Sequence, residues 1–156
     1  MKDFATLYSE EDRKVMKLAE DSLDPLIDRV DEIIAYAQEA GIVHLGIANC
    51  IAFEKDAAAL QELLEQKGFK VARANCKYGQ MPFKDILEGY KGLACNPAGQ
   101  ALHLAEEGSE LNIMMGLCLG HDMVFNSKST APVTPLVVKD RKLRHATLDR
   151  FRALRS

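Results

Sequence analysis

The residues with the clearest capacity for chemistry in this sequence are its four cysteines: Cys50, Cys76, Cys95 and Cys118. Thiolates bind soft or borderline metals, and four of them suit a tetrahedral zinc ion or an iron–sulfur cluster. A single thiolate can instead act as a nucleophile. The spacing contains no CxxC pair, so a shared site requires the fold to bring distant cysteines together.

One stretch, LNIMMGLCLGHD at residues 111–122, joins an apolar run to one of these cysteines. A short apolar run closed by glycines is typical of a strand buried on both faces. Cys118 and His121 follow where this strand should stop. In an open parallel sheet, the carboxyl ends of the strands form the edge at which ligands bind. Among the four histidines, only His121 therefore occupies a position that chemistry would use.

The same turn contains three residues with two alternative interpretations each. Gly116 and Gly120 allow a ligand to approach the backbone closely, or they only provide the geometry of the turn. Asp122 orients His121 or a ligand, or it is an acidic residue in the first turn of a helix. Three basic residues follow nearby elements and could meet an anionic ligand or lie in solvent: Lys128, Lys139 and Arg141.

The elements that must position these residues alternate between strand and helix patterns. Ser9 predicts a helix that runs to about Asp21, and Asp24-Pro25 predicts the start of a second helix that ends at Gly41. Further patterns predict strands at 42–50, 69–76, 111–118 and 135–139 and helices at 53–66, 97–107 and 121–126. No regular element is assigned to residues 77–94.

This alternation predicts a three-layer α/β/α fold with a mostly parallel sheet of about four strands. We expect the strand order 2-1-3-4. The prediction is a single domain over 1–156, with N-terminal helices at 1–41, an α/β core at 42–145 and a C-terminal helix or tail at 146–156.

The predicted topology places the cysteines at one edge of the sheet. Cys50, Cys76 and Cys118 each end a strand, and Cys95 precedes a helix that leads into the next strand. Neighbouring strands lie about 4.8 Å apart, so these thiols could share a small volume. Each of these segments also carries a polar side chain that could contact a bound ligand: Asn49, Asn75, Asn96 and His121.

Three functional hypotheses remain open. In the first, the four cysteines and His121 form a zinc or iron–sulfur site with a redox or sensing role. In the second, Cys118 is the nucleophile and His121 the base of an enzyme that acts on a small metabolite. In the third, the chain is a binding module whose cysteines are buried as small hydrophobic residues.

Composition excludes several other classes of partner. The net charge of −3 provides no basic field for nucleic acid, and the absence of tryptophan argues against base stacking. No apolar run is long enough to span a bilayer, and the N-terminus has no apolar signal core. We expect a cytoplasmic protein whose ligand is a small molecule or a metal; the sequence leaves the oligomeric state open.

Three segments carry a family resemblance: CNPAGQA at 95–101, LNIMMGLCLGHD at 111–122, and STAPVT with LVVKDR within 129–141. Over roughly residues 35–145 the chain resembles an uncharacterised family of predicted metal-binding proteins from anaerobic bacteria and archaea, known as a domain of unknown function. The resemblance implies a cytoplasmic α/β domain with a metal site. Family members usually carry further cysteines near the N-terminus, but residues 1–23 contain none. Here only the four internal cysteines could bind the metal.

Overall fold

The computed structural model describes residues 1–155 and divides into two compact units, one from Met1 to Val43 and one from His44 onward. The first unit contains the helices α1 (Glu10–Asp21) and α2 (Arg29–Glu39). Helix α1 begins where the sequence predicts, because Ser9 and Asp12 form a reciprocal capping box.

The predicted start of the second helix is wrong. Helix α2 begins four residues after Pro25, and its cap is Asp28, whose carboxylate accepts the Asp31 N–H at 3.0 Å. The Asp24 carboxylate instead accepts the Leu26 N–H at 2.9 Å and closes a turn. An Asp-Pro pair suits the start of a turn as well as the start of a helix, so its sequence signal was ambiguous.

The second unit is an α/β fold built on a four-stranded parallel sheet. Its order is β2-β1-β5-β6, which confirms the predicted order of the four main strands. The strands are β1 (His44–Asn49), β2 (Lys70–Asn75), β3 (Met81–Pro82), β4 (Leu93–Ala94), β5 (Leu111–Met115) and β6 (Val133–Val137). The helices are α3 (Glu54–Gln66), α4 (Pro97–Glu106), α5 (His121–Lys128) and α6 (Leu148–Ala153).

Helices cover both faces of this sheet, as the three-layer prediction requires. On one face, Ala48 of β1 packs with Leu104 of α4 and Phe125 of α5 in a buried cluster. Alternate residues of a strand point to opposite faces, so the neighbouring Asn49 faces α3, where it contacts Glu54. Strand β5 is buried along its whole length, which is the position expected for a continuous apolar run.

The ends of two strands differ from their predicted positions. Strand β5 ends at Met115, three residues before Cys118, because Gly116 turns the chain with a φ of +65°. Strand β6 begins at Val133, so Pro135 lies inside it rather than at its start. A proline is tolerated there because β6 is an edge strand, and its register with β5 shifts just after Met114.

The segment without a predicted element, 77–94, contains the short antiparallel pair β3–β4. None of the helices between residues 1 and 155 has the length and apolarity needed to cross a bilayer.

Candidate functional site

Backbone hydrogen bonds fix the chain at the carboxyl edge of the sheet, where the cysteines lie. They connect the end of β1 to β5, the end of β5 to β6, and the end of β2 to the turn before α4. The bonds run from Cys50 N–H to Met115 C=O at 3.2 Å, from Gly116 N–H to Val137 C=O at 2.7 Å, and from Asn96 N–H to Cys76 C=O at 3.0 Å. The segments that carry the thiols are therefore held in register with one another.

Three of the thiols pack in one cluster. Cys50 and Cys76 are 4% and 3% exposed, and the half-buried Cys95 packs against them. The Cys76 thiol accepts the backbone N–H of Ile51, the residue after Cys50, at 3.4 Å. All four cysteines are free thiols.

Lys139 connects the fourth cysteine to this cluster. Its Nζ lies 2.7 Å from Cys50 Sγ and 3.5 Å from Cys118 Sγ. The Nη2 of Arg141 lies 3.4 Å from Cys118 Sγ. Neither basic side chain forms an ion pair with a carboxylate in the described part of the chain. Two cations thus face two thiols at this edge of the sheet.

The electrostatics distinguish two adjacent thiols. Burial opposes ionisation of Cys50, but the Lys139 ammonium and the Ala52 backbone N–H outweigh it and hold the pKa of Cys50 below its ordinary value of 9.0. Burial, together with the neighbouring thiols of Cys95 and Cys50, raises the pKa of Cys76 to about 11. Although burial lowers it, the pKa of Lys139 is raised by the thiols of Cys50 and Cys118. The pKa values of these two adjacent thiols are therefore shifted in opposite directions.

Two of the predicted ligand-contacting asparagines are occupied within the chain. The side-chain Nδ2 atoms of Asn49 and Asn75 both donate to Glu54 Oε2, at 3.0 and 3.1 Å. Arg73 forms an ion pair with the other oxygen of Glu54. This network joins the ends of β1 and β2 to the start of α3, and the residues that follow these strand ends are Cys50 and Cys76.

Asn96 and the residues around Cys118 also have internal partners. Asn96 caps α4 by accepting the Gly99 N–H at 2.8 Å. Asp122 Oδ1 accepts the Gly120 N–H at 2.9 Å. A Cβ atom on Gly116 would overlap the Phe53 ring, so the close approach at Gly116 is to that ring. Gly120, with a φ of +87°, has open space where a Cβ would lie.

His121 is separate from the thiols in its hydrogen bonding. It begins α5, and no hydrogen bond within residues 1–155 connects its ring to Cys118 or to Asp122. Across the same residues, no three His, Cys, Asp or Glu side chains are arranged as ligands of one metal ion. The structure thus gathers the thiols without placing their side chains in a coordination geometry.

Sequence reasoning missed three residues that shape the site. Gln100 is fully buried, and its Nε2 donates to the carbonyl oxygens of Asn49 and Ala74 at 3.1 and 2.8 Å. A polar residue on the buried side of an apolar helix was the available signal. Glu54 had the signal of a carboxylate just after a strand end. Phe53, whose ring centroid lies 4.6 Å from that of His145, had no comparable signal in the sequence.

Comparison with known proteins identifies a family whose model covers the segment that contains the cysteines. The family model described as "Protein of unknown function (DUF1847)" matches residues 1–136, which include all four cysteines but not Lys139. A relative from Methanocaldococcus jannaschii, named "Uncharacterized protein MJ0455", is 43% identical over 124 residues. That alignment covers 76% of this chain and 64% of the relative, so the chain spans less than two thirds of the relative's length. No solved structure matches the chain. The extent of the family match shows that this chain belongs to the DUF1847 family.

Proposed function

We propose that this protein binds a thiophilic metal, as a zinc ion or an iron–sulfur cluster, through the thiolates of Cys50, Cys76, Cys95 and Cys118. One observation carries the proposal. All four cysteines of the chain, which come from separate segments, lie at the same edge of the sheet as free thiols. A role as small buried hydrophobic residues does not require them to gather, whereas a soft-metal site does.

The donor chemistry and the charge of the cluster suit such a site. Four thiolates around a divalent ion leave a net charge of −2, and the two basic side chains that face Cys118 can balance it. When bound, zinc would supply a rigid link between the strand ends, and an iron–sulfur cluster would supply a one-electron redox centre.

The described side chains still have to move before they can act as ligands. The Lys139 ammonium now contacts both Cys50 and Cys118, where it provides the positive charge. Lysine has a long flexible side chain with a single terminal charge, so it can leave the two sulfurs at a small conformational cost. The backbone segments that carry the thiols are already tied together by hydrogen bonds, which holds the strand ends side by side.

The hypothesis of an enzyme that uses Cys118 and His121 receives no support from hydrogen bonding, because within residues 1–155 the two side chains are not bonded to each other. The basic groups at Cys118 are Lys139 and Arg141. His121 therefore serves as a comparison residue when the ligand set is tested.

The test is anaerobic purification and reconstitution, followed by analysis of zinc, iron and acid-labile sulfide and by a visible spectrum. We expect stoichiometric metal in the native chain and loss of most of it in each of the four single Cys→Ser variants. The metal content of His121→Ala shows whether His121 is a further ligand: metal is lost if it is and retained if it is not. Circular dichroism verifies that each variant is folded. Substoichiometric metal after reconstitution, or metal content unchanged in folded Cys→Ser variants, would contradict the proposal.

A further inference from the structure

Cys50 and Cys76 form a pair that the fold itself creates. Asn49 and Asn75 are register partners at the ends of the neighbouring parallel strands β1 and β2, and each cysteine directly follows one of them. Neighbouring strands lie about 4.8 Å apart, and a disulfide joins Cα atoms about 4.4–6.8 Å apart. The backbone N–H of Ile51, the residue after Cys50, donates to Cys76 Sγ at 3.4 Å, and both cysteines pack in one buried cluster. A disulfide between them is therefore compatible with the backbone as it stands.

The surroundings of the two sulfurs assign them different roles. Cys50 Sγ lies 2.7 Å from the Lys139 ammonium, which stabilises negative charge on that sulfur and can give up a proton there. Cys76 Sγ receives the backbone N–H of Ile51 at 3.4 Å and has no ammonium contact among the described residues. Cys50 is thus suited to attack, and Cys76 is suited to follow as a thiol.

The other two cysteines are placed less well for this pairing. Cys95 is only half-buried at the side of the cluster, and Lys77 Nζ lies 4.0 Å from its sulfur. Cys118 contacts two cations, and Lys139 lies between it and Cys50. The burial of the pair limits its reactant to a very small oxidant, because bulky disulfides cannot reach sulfurs in residues that are 4% and 3% exposed.

We infer that Cys50 and Cys76 form a peroxide-reducing dithiol, in which Cys50 attacks hydrogen peroxide and Cys76 resolves the product as a disulfide. This activity does not depend on the proposed metal, although it uses two of the same thiols. The Cys50 thiolate attacks one peroxide oxygen, the O–O bond breaks, and an S–O bond forms to give a sulfenic acid. The departing hydroxide takes a proton from the Lys139 ammonium and leaves as water.

The second step forms the disulfide between Cys76 and Cys50. The sulfur of Cys76 attacks the sulfur of Cys50, an S–S bond forms and the S–O bond breaks. The hydroxyl group leaves with the Cys76 proton as a second water molecule. Overall, peroxide gains two electrons, each sulfur gives one, and the Lys139 amine regains its proton from solvent.

The experiment treats the full chain, reduced and then freed of bound metal by chelation, with limiting hydrogen peroxide. Peptides are mapped by mass spectrometry without reduction, and we expect the first disulfide to join Cys50 and Cys76. In Cys76→Ser, a sulfenic acid on Cys50 should persist and be captured by dimedone. In Cys50→Ser, fast peroxide consumption should be lost. Circular dichroism verifies that both variants are folded.

A matched lysine pair tests the charge at Cys50. Lys139→Gln should slow the reaction by about tenfold, because thiolate character controls cysteine reactivity. Lys128→Gln, at an exposed lysine of α5, should not slow it. First oxidation at Cys118 or Cys95, a different first disulfide, or equal rates for the two lysine variants would overturn the inference.

The same samples separate this inference from the proposed function. Metal content is measured before chelation. A chain that binds no metal but forms the Cys50–Cys76 disulfide supports the dithiol and contradicts the metal site. A chain that binds metal but, after its removal, oxidises without preference for this pair supports the metal site and contradicts the dithiol.

Discussion

At the scale of single residues, identical side chains acquire different properties from their neighbours. Cys50 and Cys76 are both buried at adjacent strand ends, yet the pKa of Cys50 is lowered and that of Cys76 is raised to about 11. The difference lies in Lys139, which contacts Cys50 at 2.7 Å. A buried thiol without a cation prefers its neutral form, whereas an ammonium in contact favours the thiolate.

A titration of thiolate absorbance in the metal-free protein measures this contrast. We expect the Cys50 thiol to ionise below pH 9.0, its ordinary value, and the Cys76 thiol to ionise near pH 11. Cys50→Ala should remove the early step and Cys76→Ala the late one. Lys139→Gln should move the early step to higher pH, while Lys128→Gln should leave it in place. An early step that survives in Cys50→Ala would contradict this assignment.

Gly116 is a second residue whose role depends on its surroundings. Its φ of +65° disfavours any side chain, and a Cβ would also overlap the Phe53 ring. We expect Gly116→Ala to lower the free energy of unfolding by about 2–4 kcal/mol, through backbone strain and displacement of the ring. Gly68 has a φ of +94° but open space around it, so Gly68→Ala should cost only about 1 kcal/mol. Equal costs in urea denaturation would contradict the role of the ring.

At the scale of elements, the site depends on hydrogen bonds that connect a helix start to two strand ends. Glu54, in the first turn of α3, accepts from Asn49 and Asn75 and pairs with Arg73. Although burial raises it, the pKa of Glu54 is lowered by these partners. The carboxylate is thus stabilised in the folded state more than in the unfolded state.

This network predicts a pH dependence of stability. Because the pKa of Glu54 is lowered on folding, its contribution is fully present above the ordinary value of 4.5 and is lost as the pH falls through the lower folded value. Glu54→Gln should lower the free energy of unfolding at neutral pH by about 1 kcal/mol and reduce the loss below pH 4.5. Glu62→Gln, at an exposed carboxylate of the same helix, should change neither. An unaltered pH profile in Glu54→Gln would contradict the account.

At the scale of the whole molecule, the sequence predicted most of the fold for identifiable reasons. Alternating strand and helix patterns predicted the α/β class, and the strand order expected for a fold of this class agrees with the observed order β2-β1-β5-β6. Ser9 located the start of α1 correctly because a serine before three acidic residues has one dominant use, as a helix cap. The helix start predicted at Asp24-Pro25 was wrong because an Asp-Pro pair also begins turns, and here the Asp24 carboxylate closes one.

The candidate site was predictable in its location but not in its contacts. Placement of thiols at strand ends follows from topology alone. The contact of Lys139 with Cys50 spans 89 positions and depends on the path of the chain after β6, which no local pattern encodes. The hydrogen bonds of Asn49 and Asn75 were likewise not predictable, because their common acceptor is Glu54, which lies on a different element, α3.

The central claim is that thiols from four chain segments bind one metal centre. X-ray absorption of the reconstituted protein, at the edge of the metal it contains, tests this most directly. We expect every ligand atom bound to the metal to be sulfur, at about 2.3 Å. Oxygen or nitrogen should appear among the ligand atoms when any one of the four cysteines is replaced by serine. Mainly oxygen and nitrogen neighbours in the native chain, or a spectrum unchanged by Cys→Ser substitution, would contradict the claim.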